Sequence, residues 1–218
     1  MGKKQPDFVP NGIYHVYNHA NGWEDIFKDQ ENYRYFLQKM GDYVPKVVDV
    51  LAYCLLSNHF HFLVQVKGQD ELVHFHKQKY ELSDSVFEEK GGEKALNIHK
   101  LVQQPFTNFL AGYVSAFNKY HNRKGSLLRQ NTCRKAVGNK AYFLNAIHYI
   151  NRNAVHHNIV RNIEDWPHSS FHSYLSTGQT KLAREKVLKW FGGKERFIDF
   201  SRNPVDPKYR FHIDFEEE

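Results

Sequence analysis

Three observations predict an α+β chain built as a ferredoxin-like βαββαβ antiparallel sheet, with an added helix and further C-terminal helices. One segment alternates and closes on Asn-Gly, two more are rich in β-branched and aromatic residues, and a fourth follows a basic loop, which together supply four strands. Between these segments the apolar spacing changes to the i, i+3, i+4, i+7 pattern of helices. The resulting order is strand, helix, strand, strand, helix, strand, helix, and only two residues part the middle strands. The 218 residues suit a single domain spanning 1–218. Its core covers about 12–175, with an insertion at about 69–97 and an extension at about 176–218.

The first strand is predicted within "GIYHVYNHANG", residues 12–22, which alternates and closes on Asn-Gly. Asp29 can then cap a helix whose Tyr33, Phe36, Leu37 and Met40 form one buried face, ending near Gly41 to Pro45. "KVVDVLAYCLL" and "HFHFLVQVK" are rich in β-branched and aromatic residues; Ser57-Asn58 between them predicts a hairpin. Residues 69–97 are polar and carry Gly91-Gly92, predicting a short helix and then a mobile insertion. A longer helix is expected from Ile98 to Tyr120, with Pro105 in its first turn or at a kink. "HNRKGSLLRQNTCRKAV" supplies a basic loop and a further strand. In "NKAYFLNAIHYINRNAV", Phe143, Ile147, Ile150 and Ala154 make an apolar stripe; Tyr149 and Asn153, four apart, lie on another side. Small packing helices and an acidic tail, Glu216 to Glu218, complete the chain.

Composition limits the classes of function. Lys and Arg number 30 against 24 Asp and Glu, a formal charge of +6, and fourteen histidines can add to it near anions. Polyanions fit this balance, as does an ordinary solvated surface. Cys54 and Cys133 form no CxxC pair, which suits a reducing compartment. The N-terminus lacks an apolar signal core, and no run approaches the ~20 apolar residues of a membrane helix. A cytoplasmic protein with no membrane partner is expected.

"LLSNHFHFLV" carries the strongest chemical signal. On a strand, His59 and His61 project from one face, while Phe60, Phe62 and Val64 project from the other. Two neutral imidazoles on one face can hold a divalent ion without distorting the backbone. The spacing alone favours a hydrogen-bonded core pair over a metal site. A His-x-His-x-His nucleotide hydrolase is disfavoured because Leu63 occupies the third position, and a jelly roll because the chain has several helices. His74 and His76 repeat the spacing in a helical context, where positions two apart diverge by about 200°. They are expected to be surface residues that cannot chelate one ion.

Tyr149, off the apolar stripe, is expected to expose its hydroxyl, which can act as a nucleophile towards a phosphodiester. The phenol needs a nearby base or cation, since its free pKa is ~10. Asn153, one turn later, can offer an amide oxygen to an ion such as Mg²⁺ or Mn²⁺. Lys119, Arg123, Lys124, Arg129, Arg134 and Lys135 can follow DNA phosphates, with aromatic neighbours stacking unpaired bases, or form a solvated basic loop.

Four separated segments, "YHVYNHANGWEDIFKDQENYRYFL", "LAYCLLSNHFHFLVQV", "AIHYINRNAV" and "WPHSSFHSYL", resemble the single-tyrosine HUH transposases, most closely the REP-associated tyrosine transposases. The likeness covers most of residues 12–175, in order. It implies a ferredoxin-like fold, His59 and His61 as ligands of a divalent ion, Mg²⁺ or Mn²⁺, Asn153 completing that site, and Tyr149 attacking DNA. It further implies cleavage and transfer of single-stranded or hairpin DNA through a 5′-phosphotyrosine, by a monomer or a homodimer that exchanges the tyrosine helix. Two departures concern the helix end: Asn153-Ala154 stands where relatives have Asn-Pro, and His156-His157 replaces an Arg-containing segment. A hairpin-DNA-binding regulator that does not cleave is the alternative expectation, and a hydrolase of small phosphoesters a third.

Overall fold

The computed structural model describes residues 5–79, 87–90, 93–138 and 140–204. Strand β1 (Ile13–His19) leads to helix α1 (Gln30–Tyr43) and then to β2 (Val48–Leu56) and β3 (His59–Val66). Helix α2 (Gln69–Lys79), strands β4 (Phe87–Lys90) and β5 (Glu93–Leu96), helix α3 (Ile98–Tyr120) and strand β6 (Cys133–Ala136) follow. Helices α4 (Lys140–Asn151), α5 (Asn153–His156), α6 (Phe171–Leu175), α7 (Arg184–Phe191) and α8 (Lys194–Arg202) close the described chain.

β1, β2, β3 and β6 form one antiparallel sheet in the order β2-β3-β1-β6, the expected ferredoxin-like arrangement. Asp29 caps α1 as its sequence position suggests, its carboxylate accepting from the Asn32 amide at 2.9 Å. One sheet face packs on α1 and α3: the Phe36 ring lies 5.2 Å from Phe60, and Phe109 lies 6.4 Å from Phe62. The Tyr113 hydroxyl donates to the Ile26 carbonyl and fastens α3 to the loop before α1. Burial of these aromatic side chains supplies the main favourable term, at roughly 1.5–3 kcal/mol each.

The opposite face receives α4 over β2 and β3. The free edge of β2 is covered by the segments around α6, which continue its ladder. Leu55 N donates to His168 O, Ser170 N to Tyr53 O and Ala183 N to Val50 O, each at 2.9 Å. Pairing this edge removes a template for aggregation. Phe197 of α8 is fully buried against Phe171, Tyr174 and Phe191, so the C-terminal helices form a wall rather than an appendage.

The first helix ends at Tyr43, inside the expected Gly41 to Pro45 stretch, and tightens into a 3₁₀ turn, Val44–Lys46, where the preset φ of Pro45 suits an early helical position. Pro105 lies well inside α3 rather than in its first turn. The insertion begins with the expected short helix, α2, and its further described part is the antiparallel pair β4–β5; Gly91-Gly92 and the Glu216–Glu218 tail lie outside the described residues. His76, expected on the surface, is buried on α2, and its burial lowers its pKa; His74 is exposed.

Candidate functional site

Strand alternation and register assemble a histidine face. β1 and β3 pair with His19 opposite His59, Tyr17 opposite His61 and His15 opposite Leu63. Directly opposite residues of antiparallel strands share a face. His15, Tyr17, His19, His59 and His61 therefore stand together, joined by Lys135 opposite His15 and Cys133 opposite Tyr17 on β6. The rings are in contact: His19 stacks on His59 at 4.6 Å, and His15 on His61 at 5.0 Å; His59 meets His61 edge-on at 5.0 Å. His59 and His61 are both buried.

Hydrogen bonds constrain the tautomers. His59 Nδ1 lies 2.7 Å from Asn58 Oδ1. An amide oxygen only accepts, so this nitrogen carries the proton and Nε2 the lone pair. His61 Nδ1 lies 2.8 Å from His15 Nε2. With the proton on His61 Nδ1, its Nε2 also becomes a donor atom towards a metal, the usual pattern of outer partners fixing ligating imidazoles.

The helical half of the site comes from α4 and α5. α4 and α5 are nearly continuous, and His157 caps the end of α5. Its ring lies 5.2 Å from that of His59, while the neighbouring His156 ring lies 5.5 Å from that of Tyr149. The His156 and His157 rings meet edge-on at 5.4 Å. A path of ring contacts thus runs from the tyrosine to the histidine face. Asn153 opens α5 and is fully buried, and among the described residues both its amide atoms lack a hydrogen-bond partner. An unsatisfied buried amide costs about 1–3 kcal/mol, which a ligand can offset. Among the described residues no three His, Cys, Asp or Glu side chains converge to hold an ion. A metal here would draw its remaining donors from amide, phosphate or water oxygens, a set that suits Mg²⁺ or Mn²⁺.

Tyr149 differs from its expectation, being only 1% exposed. Its helix has the sheet beneath it, while Trp190 packs on Phe143 at 4.6 Å and Phe200 on His148 at 4.9 Å. The helix is therefore enclosed on both sides. Its narrow apolar stripe reported only the sheet contact.

The six basic residues separate. Arg123 forms a two-pronged ion pair with Glu24 and also donates to Asn118 and to the Gly125 and Ser126 carbonyls. Arg134 lies opposite Val16, on the face away from the histidines, donating to Pro6 O with its guanidinium over the Phe8 ring. It borders a cleft of about 600 Å³ that Arg129 also lines. Lys119 and Lys124 are exposed, and Lys135 shares the histidine face. Sequence reasoning missed His15, His19 and Asn58; the alternation of His15, Tyr17 and His19 was the signal for the first two.

No family model and no curated protein matches the chain. Its fold is similar to a solved structure described as "Structure of the REP associates tyrosine transposase bound to a REP hairpin". The TM-score is 0.53 at 15% identity, over 83% of this chain and 88% of the other.

Proposed function

We propose that this protein cleaves and rejoins single-stranded or hairpin DNA as a single-tyrosine transposase-like enzyme. The carrying observation is the continuity of ring contacts from Tyr149 through His156 and His157 to His59. The likeness in fold to a hairpin-bound transposase supports the same reading. Tyr149 Oη bonds to the scissile phosphorus while the bond to the 3′ oxygen breaks, leaving a 5′-phosphotyrosine and a 3′-hydroxyl that takes a proton from solvent. His156 accepts the tyrosine proton and returns it when a 3′-hydroxyl reverses the reaction. Phosphodiester energy is retained in the covalent link, so no nucleotide is consumed. His59, His61 and Asn153 would hold Mg²⁺ or Mn²⁺, whose charge would stabilise the phosphate as negative charge builds. Lys135 contributes positive charge on the same face. In this reading a monomer acts, with Tyr149 serving the histidines of its own chain.

Labelled hairpin DNA and Mn²⁺ test the reading. Denaturant-resistant protein-DNA adducts are expected with the wild-type chain and should vanish in Tyr149→Phe. Turnover of phosphoester that survives Tyr149→Phe would instead identify a hydrolase. The burial of Tyr149 favours a second reading, a hairpin-DNA-binding regulator that does not cleave. Tight binding with no adduct would select it.

A further inference from the structure

We propose that Trp23 is a stacking platform for an unpaired base of the DNA strand engaged at the histidine face; this rests on the DNA reading above. Trp23 is fully exposed, at 104% of the reference area. An indole normally buries 150–250 Å², so its complete display forgoes a large stabilisation. The loop that carries it is firmly held. Asn21 N donates to Leu127 O at 2.8 Å, and Ile26 N and Phe27 N donate to Ser57 O at 2.7 and 2.9 Å. Arg123 clamps Glu24, the next residue, while using its remaining donors on its own loop. Gly22 sits at φ +80°, a left-handed angle that turns the chain immediately before Trp23. The indole is thus presented on a braced loop, so little backbone entropy is lost when a ligand stacks on it.

The surroundings select the occupant. Its exposed neighbours in sequence, Asn21, Gly22 and Asp25, carry no apolar side chain, unlike the surroundings of a protein- or membrane-binding patch. Arg123 neutralises Glu24, and the Asp29 carboxylate accepts from the Asn32 amide at the start of α1; exposed Lys28 and Lys124 lie on the two joined segments with exposed Asp25. Tyr120, 66% exposed, and Lys119 belong to the helix end just before Arg123. A flat aromatic with cations around it suits single-stranded nucleic acid. Position agrees as well. Trp23 follows His19 by four residues, so their Cα atoms lie within about 14 Å at full extension, and the His19 ring stacks on His59. A base a few nucleotides from a phosphate at the histidines can reach it.

The test uses the full chain in EDTA, hairpin DNA with an unpaired tail, and the same hairpin blunt-ended. Of the three tryptophans, Trp166 donates to Leu55 O and Trp190 packs on Phe143, so Trp23 is the fully exposed reporter. The tailed hairpin should quench emission in the wild type but not in Trp23→Phe. Trp23→Ala should weaken tailed-hairpin binding roughly 5- to 150-fold, the equivalent of stacking one base, and leave blunt-hairpin binding unchanged. Equal affinity of wild type and Trp23→Ala for the tailed hairpin overturns the platform and leaves the DNA reading standing. Failure of the wild type to bind either DNA overturns both.

Discussion

His148 stands one residue before Tyr149 in an environment that resists charge. Burial is the main cause and the Arg152 guanidinium the next; together they push its pKa down to about 4, against the opposing pull of the Asn203 and Ser201 carbonyls. The Phe200 ring completes its surroundings. The unfolded chain takes up this proton near pH 6.5 and the folded chain only near 4, so stability is full above 6.5 and declines as pH falls between the two. The loss should reach roughly 3 kcal/mol. Urea midpoints at pH 7 and pH 4.5 should differ less in His148→Gln than in the wild type. At the same scale, His15 and Asn58 should orient the two candidate ligands. His15→Phe should weaken Mn²⁺ binding about 10- to 100-fold, measured by titration calorimetry, with thermal stability recorded alongside to separate positioning from misfolding.

At the scale of elements, the loop before α1 and the loop after α3 act as one unit because Arg123 bridges them. Arg123→Ala and Glu24→Gln should show a coupling of about 1 kcal/mol in a double-mutant cycle on unfolding. The same geometry divides the six basic residues by role. Removing exposed Lys119 or Lys124 should lower the salt dependence of DNA affinity by about 0.7–0.9 in log-log slope for each phosphate no longer neutralised. Arg123→Ala should act mainly on stability, a difference seen by measuring affinity across salt concentrations. Their sequence positions marked all six equally; the carboxylate, carbonyls and aromatic ring that occupy Arg123 and Arg134 come from segments distant along the chain.

For the whole molecule, the C-terminal helices decide the environment of the tyrosine helix. Phe197 joins α6, α7 and α8 in one aromatic cluster. Phe197→Ala should cost about 3–5 kcal/mol in denaturant unfolding and loosen the outer wall of α4. The monomeric arrangement predicts adduct formation without exchange of α4 between chains. Mixing Tyr149→Phe with His61→Ala chains tests this. Adducts absent from each alone and from the mixture are expected, whereas adducts restored in the mixture would reveal exchange.

The order and type of the main elements are legible in the residue pattern, because strand and helix spacing are local consequences of which face is covered. The same pattern places His59 and His61 on one side of a strand, and Asn153 one turn beyond Tyr149. That β1 brings His15 and His19 to those histidines is set by long-range pairing, since strand register depends on partners far apart in sequence. Tertiary packing likewise decides that Tyr149 is covered and that His156 and His157 bridge the helix to the sheet. Burial of a helix surface is a property of what packs outside it, and here that covering comes from residues some forty to fifty positions later, beyond the reach of any local pattern.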